Sequence, residues 1–211
     1  MTSVGRILQF PPIPQFPEEI RGRSFVVVET IWSGDPAEGE AQIAPLRALR
    51  PVMDTVRPIT MPELSHLHMD PEEPVPGAGD GGMLTGFTDD ALEALVAGTV
   101  GAPLLSAEVR HLGGAVAQAE PHHGAVASFA APYIWFAIGI ARTPEAKQAV
   151  HAAARSVRSS LEPWAAPHTY LNFSETRRDA SRHFTEAAHH RLKRVEAVYD
   201  PYGLITSNHP L

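Results

Sequence analysis

Two polar side chains stand two positions apart near the C-terminus, Tyr170 and Asn172, within Thr169-Tyr170-Leu171-Asn172-Phe173. A phenol can pass a proton, and a carboxamide can both donate and accept hydrogen bonds. An unperturbed phenol, with a pKa of about 10, is a weak base at neutral pH. It needs a neighbouring positive charge or donor to work as one. The run is rich in strand formers and alternates, so it reads as a strand. That would set Tyr170 and Asn172 on one face and Leu171 and Phe173 on the other. A second polar pair, Arg110 and His111, closes the alternating run from Leu104 to Leu112. In a strand these two point to opposite faces, so one of them looks to the open side of a sheet and can contact a ligand. Glu108 would share a face with Arg110, and Val109 with His111.

Other chemistries find less support. Eleven histidines include His66-Leu67-His68 and the adjacent pairs His122-His123 and His189-His190. Zinc needs three or four converging ligands, and no HExxH helix is present, so no metal is expected. Gly113-Gly114 lacks the G-x-G-x-x-G context of a nucleotide loop, and no G-x-S-x-G supports a hydrolase. The tryptophans Trp32, Trp135 and Trp164 read as core or interface residues.

At 211 residues and 44% hydrophobic, the chain can build a proper core as one domain or one domain plus an appendage. A net charge of −7 argues against nucleic acid, which wants a basic footprint. The absence of cysteine rules out disulfides and thiolate metal sites. No leader pattern is seen, and the longest apolar run, Ala130 to Ala141, is too short to span a membrane. The expectation is a cytoplasmic chain that does not engage membranes.

The elements that must position these residues follow from pattern. Val4 to Phe10, Ser24 to Trp32, Val52 to Arg57, Met83 to Phe87, Leu104 to Leu112, Ala125 to Phe129 and Tyr133 to Ile140 read as strands, the last two as a hairpin. Pro11 to Pro17 predicts an extended crossing. Asp35-Pro36 predicts a helix start, with Ile43, Leu46 and Leu49 along one face and a kink at Pro45. Thr60-Met61-Pro62 opens a short turn to His66. Thr88 caps a helix through Ala97, and Thr143-Pro144 starts a long helix to Leu161. Glu186 to Tyr199 reads as a helix burying Leu192, Val195 and Val198, ended by Asp200-Pro201. Asp70 to Gly82, packed with Pro, Gly and Asp, reads as a loop, and a loop this long is usually functional. Strands that follow one another directly favour an α+β fold, a largely antiparallel sheet with helices on one face.

The run YLNF, a helix ending in Tyr199-Asp200-Pro201, and the tail Asn208-His209-Pro210-Leu211 resemble the C-terminal signature of berberine bridge enzyme-like FAD-linked oxidases. These belong to the vanillyl-alcohol-oxidase type of flavoproteins. Arg110-His111-Leu112-Gly113-Gly114-Ala115 also resembles a strand of that family's substrate domain. Ile205 stands where an aromatic is usual. The resemblance implies a substrate domain over residues 1–167 and a C-terminal segment over 168–211. It implies an open sheet face laid over the flavin, Tyr170 as proton acceptor, Asn172 and Asn208 toward FAD, and Arg110 or His111 toward a small-molecule substrate. Such oxidases are usually more than twice this length, and their N-terminal half holds the FAD. The resemblance therefore implies that this chain alone does not hold FAD tightly. A separately encoded FAD-binding chain would complete it. A stand-alone, non-catalytic module that binds a small molecule or self-associates is the alternative.

Overall fold

Five strands, two of them rich in β-branched or aromatic residues and one rich in glycine, pair into one antiparallel sheet. The strands of the computed structural model are β1 (Thr2–Gln9), β2 (Ser24–Ile31), β3 (Gly77–Leu84), β4 (Ser106–His111) and β5 (Tyr133–Ile140), in spatial order β2-β1-β4-β5-β3. The structure describes residues 1–14, 16–70 and 73–211. The antiparallel α+β architecture expected from the sequence is the one observed.

Helices α1 (Pro36–Ala48), α2 (Asp89–Thr99), α3 (Pro144–Ser160) and α4 (Glu186–Tyr199) start where the sequence places caps. Asp35, Thr88, Thr143 and Thr185 each accept a hydrogen bond from a first-turn N–H, satisfying a donor that the helix cannot. Only α2 and α3 build the core. Ala91 and Leu95 of α2, Val150, Ala154 and Val157 of α3, and Leu161 just after it pack on Ala78, Leu84, Ala107, Val109, Trp135 and Ala137 of the sheet. Cross-strand partners share a face, so Val109 opposite Trp135 and Ala107 opposite Ala137 mark the helix-covered side.

Several expectations are corrected. The stretch from Asp70 to Gly82 is not all loop, because Gly77–Leu84 is strand β3, paired residue for residue with β5. Its glycines hide the alternation that would have revealed it. Pro71 and Glu72 of that stretch, and Gln15 of the proline run, lie outside the described residues. Val52 to Arg57 and Ala125 to Phe129 form no strand, and β5 pairs with β3 and β4 instead of closing a hairpin with 125–129. The apolar face foreseen for α1 buries Ile43 alone, while Leu49 is exposed. Pro45 lies within a continuous helix. Helix α4 buries no residue, and Val195, Val198 and Tyr199 face solvent.

β3 lies at an edge of the sheet, where unpaired backbone groups invite aggregation. The segment after α3 covers it: Ala166 N–H donates to the Met83 carbonyl at 2.8 Å, and Gly79 N–H donates to the Glu175 carboxylate at 2.8 Å.

Candidate functional site

The pairing register divides the polar residues cleanly between two faces. Arg6, Glu108, Phe136 and Gly81 lie in one cross-strand row; Val4, Arg110, Ile134 and Met83 lie in the next. Both rows look away from α2 and α3. Arg110 therefore stands on the helix-free face, together with Glu108. His111 is on the opposite side, exposed, with its ring 5.3 Å from that of Tyr133, which packs against the helical core. Of the two residues expected near substrate, the structure keeps Arg110 on this face and moves His111 off it.

Tyr170 and Asn172 do not sit on a strand. Leu171–Phe173 forms a 3-10 turn, closed by Ser174 N–H donating to the Leu171 carbonyl at 3.2 Å. Ser174 Oγ also donates to the Tyr170 carbonyl at 3.2 Å, a local bond that competes with strand pairing. The turn lies over β3 and β5. Phe173 stacks on Phe136 at 4.4 Å between ring centroids, and the half-buried Tyr170 ring stands edge-on to Phe173 and Phe129. Gly81 permits this approach, since a Cβ there would lie 2.7 Å from that of Phe173. Arg110 lies 5.1 Å above the Phe173 ring, a cation–π distance. Tyr170 and Arg110 thus flank one aromatic stack. Asn172 and Asn208 are exposed and are not brought to it. The tail carrying Asn208 is tied down through His209: Arg178 N–H donates to its Nδ1 at 3.1 Å, and its Nε2 lies 3.0 Å from the Ser174 carbonyl.

Beside this stack lies a buried ionic network that sequence reasoning missed. Arg6 pairs with Glu29 at 2.5 Å, and Arg110 Nε donates to Glu108 at 2.6 Å. His68 joins the two pairs. Its Nδ1 is 2.8 Å from Glu29, and its Nε2 is 3.1 Å from Arg6 and 3.3 Å from Glu108. Burial without partners would be costly for each of these groups, and the network gives every residue in it at least one charged or imidazole partner, although Arg6 Nε makes no hydrogen bond among the described residues. A signal was available: Arg6 and Glu29 interrupt otherwise apolar strands, and charges there are rarely buried unless paired. The turn Pro62–His66, just before His68, is fixed by Glu63. Thr60 N–H, Arg57 and Thr60 Oγ1 all donate to its carboxylate, and they hold its pKa at about 2.

The helix-free face is therefore partly dressed. His68 lies over β2, β1 and β4, while Tyr170 to Phe173 lie over β5 and β3. Next to Tyr170 opens a cavity of about 320 Å³, walled by Met83, residues 125–131 and 166–172, and His183 to Thr185. His183 is buried, and that burial pushes its imidazole below the ordinary histidine range; nearby His209, Arg178 and Arg182 push the same way.

A sheet with helices on one face and a half-dressed aromatic and ionic surface on the other is a fold that recurs as about half of several solved berberine bridge enzyme-like proteins and oxidases. The chain superposes on BBE-like 1 of Physcomitrella patens with a TM-score of 0.72 at 11% identity, over 98% of this chain and 46% of that one. It superposes on a variant of berberine bridge enzyme with a TM-score of 0.73 at 11% identity, over 99% and 48%. A glycopeptide hexose oxidase solved with teicoplanin gives 0.68 at 14% identity, over 98% and 46%. The chain thus spans about half the length of the solved chains that it matches. No protein-family model and no curated protein matches it by sequence.

Proposed function

We propose that this chain is the substrate-binding, C-terminal part of an FAD-dependent oxidase that oxidises a C–O or C–N bond. The observation that supports this best is the convergence of Tyr170 and Arg110 on the Phe136–Phe173 stack, on the helix-free face of a fold shared with flavin oxidases. A bound flavin would supply the hydride acceptor, with dioxygen as the terminal oxidant. The chain's own residues offer the ring end of that cofactor an aromatic and polar patch: the Arg110 guanidinium over Phe173 and the Tyr170 ring edge-on beside it. Tyr170 takes the substrate's proton, and Arg110 orients the substrate. In this reading Asn172 and Asn208, both exposed, contact the cofactor only once the partner chain is docked.

The pyrophosphate and adenosine of FAD belong, in this reading, to a separately encoded FAD-binding chain. The surface offered to it is α4 and its sequel, where Val198, Tyr199, Tyr202, Leu204 and Ile205 are all more than two-thirds exposed. Contiguous apolar exposure of this kind marks an interface. A cytoplasmic location belongs to the same reading.

The test is reconstitution. Mixed with an FAD-loaded partner, the chain gives substrate-dependent flavin reduction, and Tyr170→Phe lowers turnover roughly 10²- to 10⁴-fold, the range of one general base. Turnover unchanged by Tyr170→Phe contradicts its role. The cavity beside Tyr170 favours one second reading, a non-catalytic module that binds a small molecule. That reading predicts ligand binding with no turnover under any reconstitution.

A further inference from the structure

A second cavity, of about 350 Å³, opens on the helix side of the sheet beside the edge strand β3. Gly82 and Trp135 of the sheet, Arg158 of α3, and Glu162 and Arg182 of the segment that follows all line it. Trp135 is only 2% exposed, and its indole N–H has no acceptor among the described residues. It is nevertheless not one of the unpartnered polar atoms sealed from solvent, so the N–H keeps an open side. An indole nitrogen can only donate, and a buried donor without an acceptor is costly.

A second donor stands beside it. Arg158 Nε donates to Asp80 at 2.8 Å, and NH2 reaches both Asp80 and the Gly81 carbonyl. Asp80 is fully engaged by Arg158 and Arg178, so NH1 has no acceptor left in the cluster, and it too is not sealed. A Cβ on Gly82 would lie 2.8 Å from Trp135 Nε1 and 3.5 Å from Arg158 NH1. The missing side chain at position 82 thus brings the indole N–H and the guanidinium edge together on the wall of the cavity.

Charge decides what these donors can take. Among the residues that line the cavity and those bonded to them, Arg158, Arg178 and Arg182 outnumber Asp80 and Glu162 by one. Glu162 is exposed and makes no ion pair among the described residues. A cation would meet two guanidiniums, and a ligand with donors alone would leave the indole N–H unpaired. Leu84, Leu161 and Ala166 add an apolar wall. The volume is more than twice the roughly 150 Å³ of an engineered apolar cavity that holds benzene, so a ring with one substituent fits.

We propose that this cavity binds an organic carboxylate of single-ring size, whose oxygens accept hydrogen bonds from Trp135 Nε1 and Arg158 NH1. Carboxylate and guanidinium form charge-assisted hydrogen bonds, about twice as strong as neutral ones. The site lies across the sheet from Arg110, so it is additional to the flavin-facing surface and does not rest on the oxidase reading. A bound carboxylate joins α3 to β5 through its two donors, and ligand that binds only the folded chain stabilises it.

The experiment uses the full chain, labelled with nitrogen-15, and sodium benzoate as the probe. Benzyl alcohol and sodium chloride at matched concentrations are the controls. Three tryptophans give three indole N–H cross-peaks, and the one lost in Trp135→Phe belongs to Trp135. Where that variant does not fold, through-space contact of the indole proton with the Gly82 α-protons assigns the peak in the wild-type chain. Benzoate should move the Trp135 cross-peak saturably, at about a tenth of the benzyl alcohol concentration, as befits a hydrogen bond to a charged group. Chloride should leave it in place, and the melting temperature should rise with benzoate concentration. A Trp135 cross-peak that millimolar benzoate does not move, or that benzyl alcohol or chloride moves equally, overturns the proposal.

Discussion

Each face of the sheet buries an ionic cluster, and the two are built for different ends. On the helix side, the buried carboxylate of Asp80 on β3 sits between two guanidiniums. Arg158 comes from α3, and Arg178 from the C-terminal segment. Every charge belongs to an element that the cluster ties down, and Arg158 also covers the Trp135 ring. On the helix-free side, the network of Arg6, Glu29, His68, Glu108 and Arg110 is likewise deeply buried at its centre but ends on Arg110, 37% exposed at its side chain. Only the Nε of Arg110 is hydrogen-bonded among the described residues. The comparison shows how one chemistry serves two purposes. The closed cluster ties elements together, while the other leaves one guanidinium at the surface, the one that the proposed function gives to a ligand.

Removing a member of each cluster puts this contrast to the test. Asp80→Ala leaves two guanidiniums facing each other and should cost about 3–5 kcal/mol in chemical denaturation. Arg110→Ala takes one partner from the buried Glu108 but leaves it His68, so it should cost about 1–3 kcal/mol, less than Asp80→Ala, while it should hit substrate oxidation hard. Equal stability losses would erase the distinction. Gly81→Ala attacks the seat of the aromatic stack, since its methyl would meet both Phe173 and the Trp135 carbonyl at under 3 Å. Overpacking there should cost about 1–3 kcal/mol and loosen the Tyr170 and Phe173 rings, visible in near-ultraviolet circular dichroism. A stable variant with rigid rings would show that the turn is held elsewhere.

A pH effect comes next. Burial lowers the folded-state pKa of His183 below 6.5, so the unfolded chain binds the extra proton first. Unfolding free energy should therefore be fully present above about pH 6.5 and fall as the pH drops through the depressed value. His183→Phe should flatten that slope, and an unchanged slope would assign it to another group. The smallest effect is expected far from both clusters. Asp35→Ala removes the α1 cap and should cost about 1 kcal/mol without changing ligand binding.

Helix caps and β-branched strands were legible in the sequence because they depend on local chemistry. Asp35, Thr88 and Thr143 are such signals, as are β2 and β5. Strand β3 was not legible, because its four glycines carry no side chains to alternate; their reason is the crowding by Phe173, Trp135 and the β5 backbone. The strand expected at Thr169–Phe173 failed for a related reason. A period-two pattern over five residues suits a tight turn as well as a strand, and the hydroxyl of Ser174 favours the turn. At the site, alternation alone separated Arg110 from His111 without saying which faced the helices. His68 and His183 take their meaning from residues far away in sequence, Glu29 and Glu108 for one and Thr169 for the other.

The central claim is that the Phe136–Phe173 stack, with Arg110 and Tyr170 at its rim, looks onto a flavin ring carried by another chain. The most direct test adds this chain to an FAD-loaded partner and follows the visible absorbance of the flavin. The account predicts a saturable spectral shift that weakens sharply in Arg110→Ala. A flavin spectrum indifferent to the chain, or shifted equally by the variant, would contradict it.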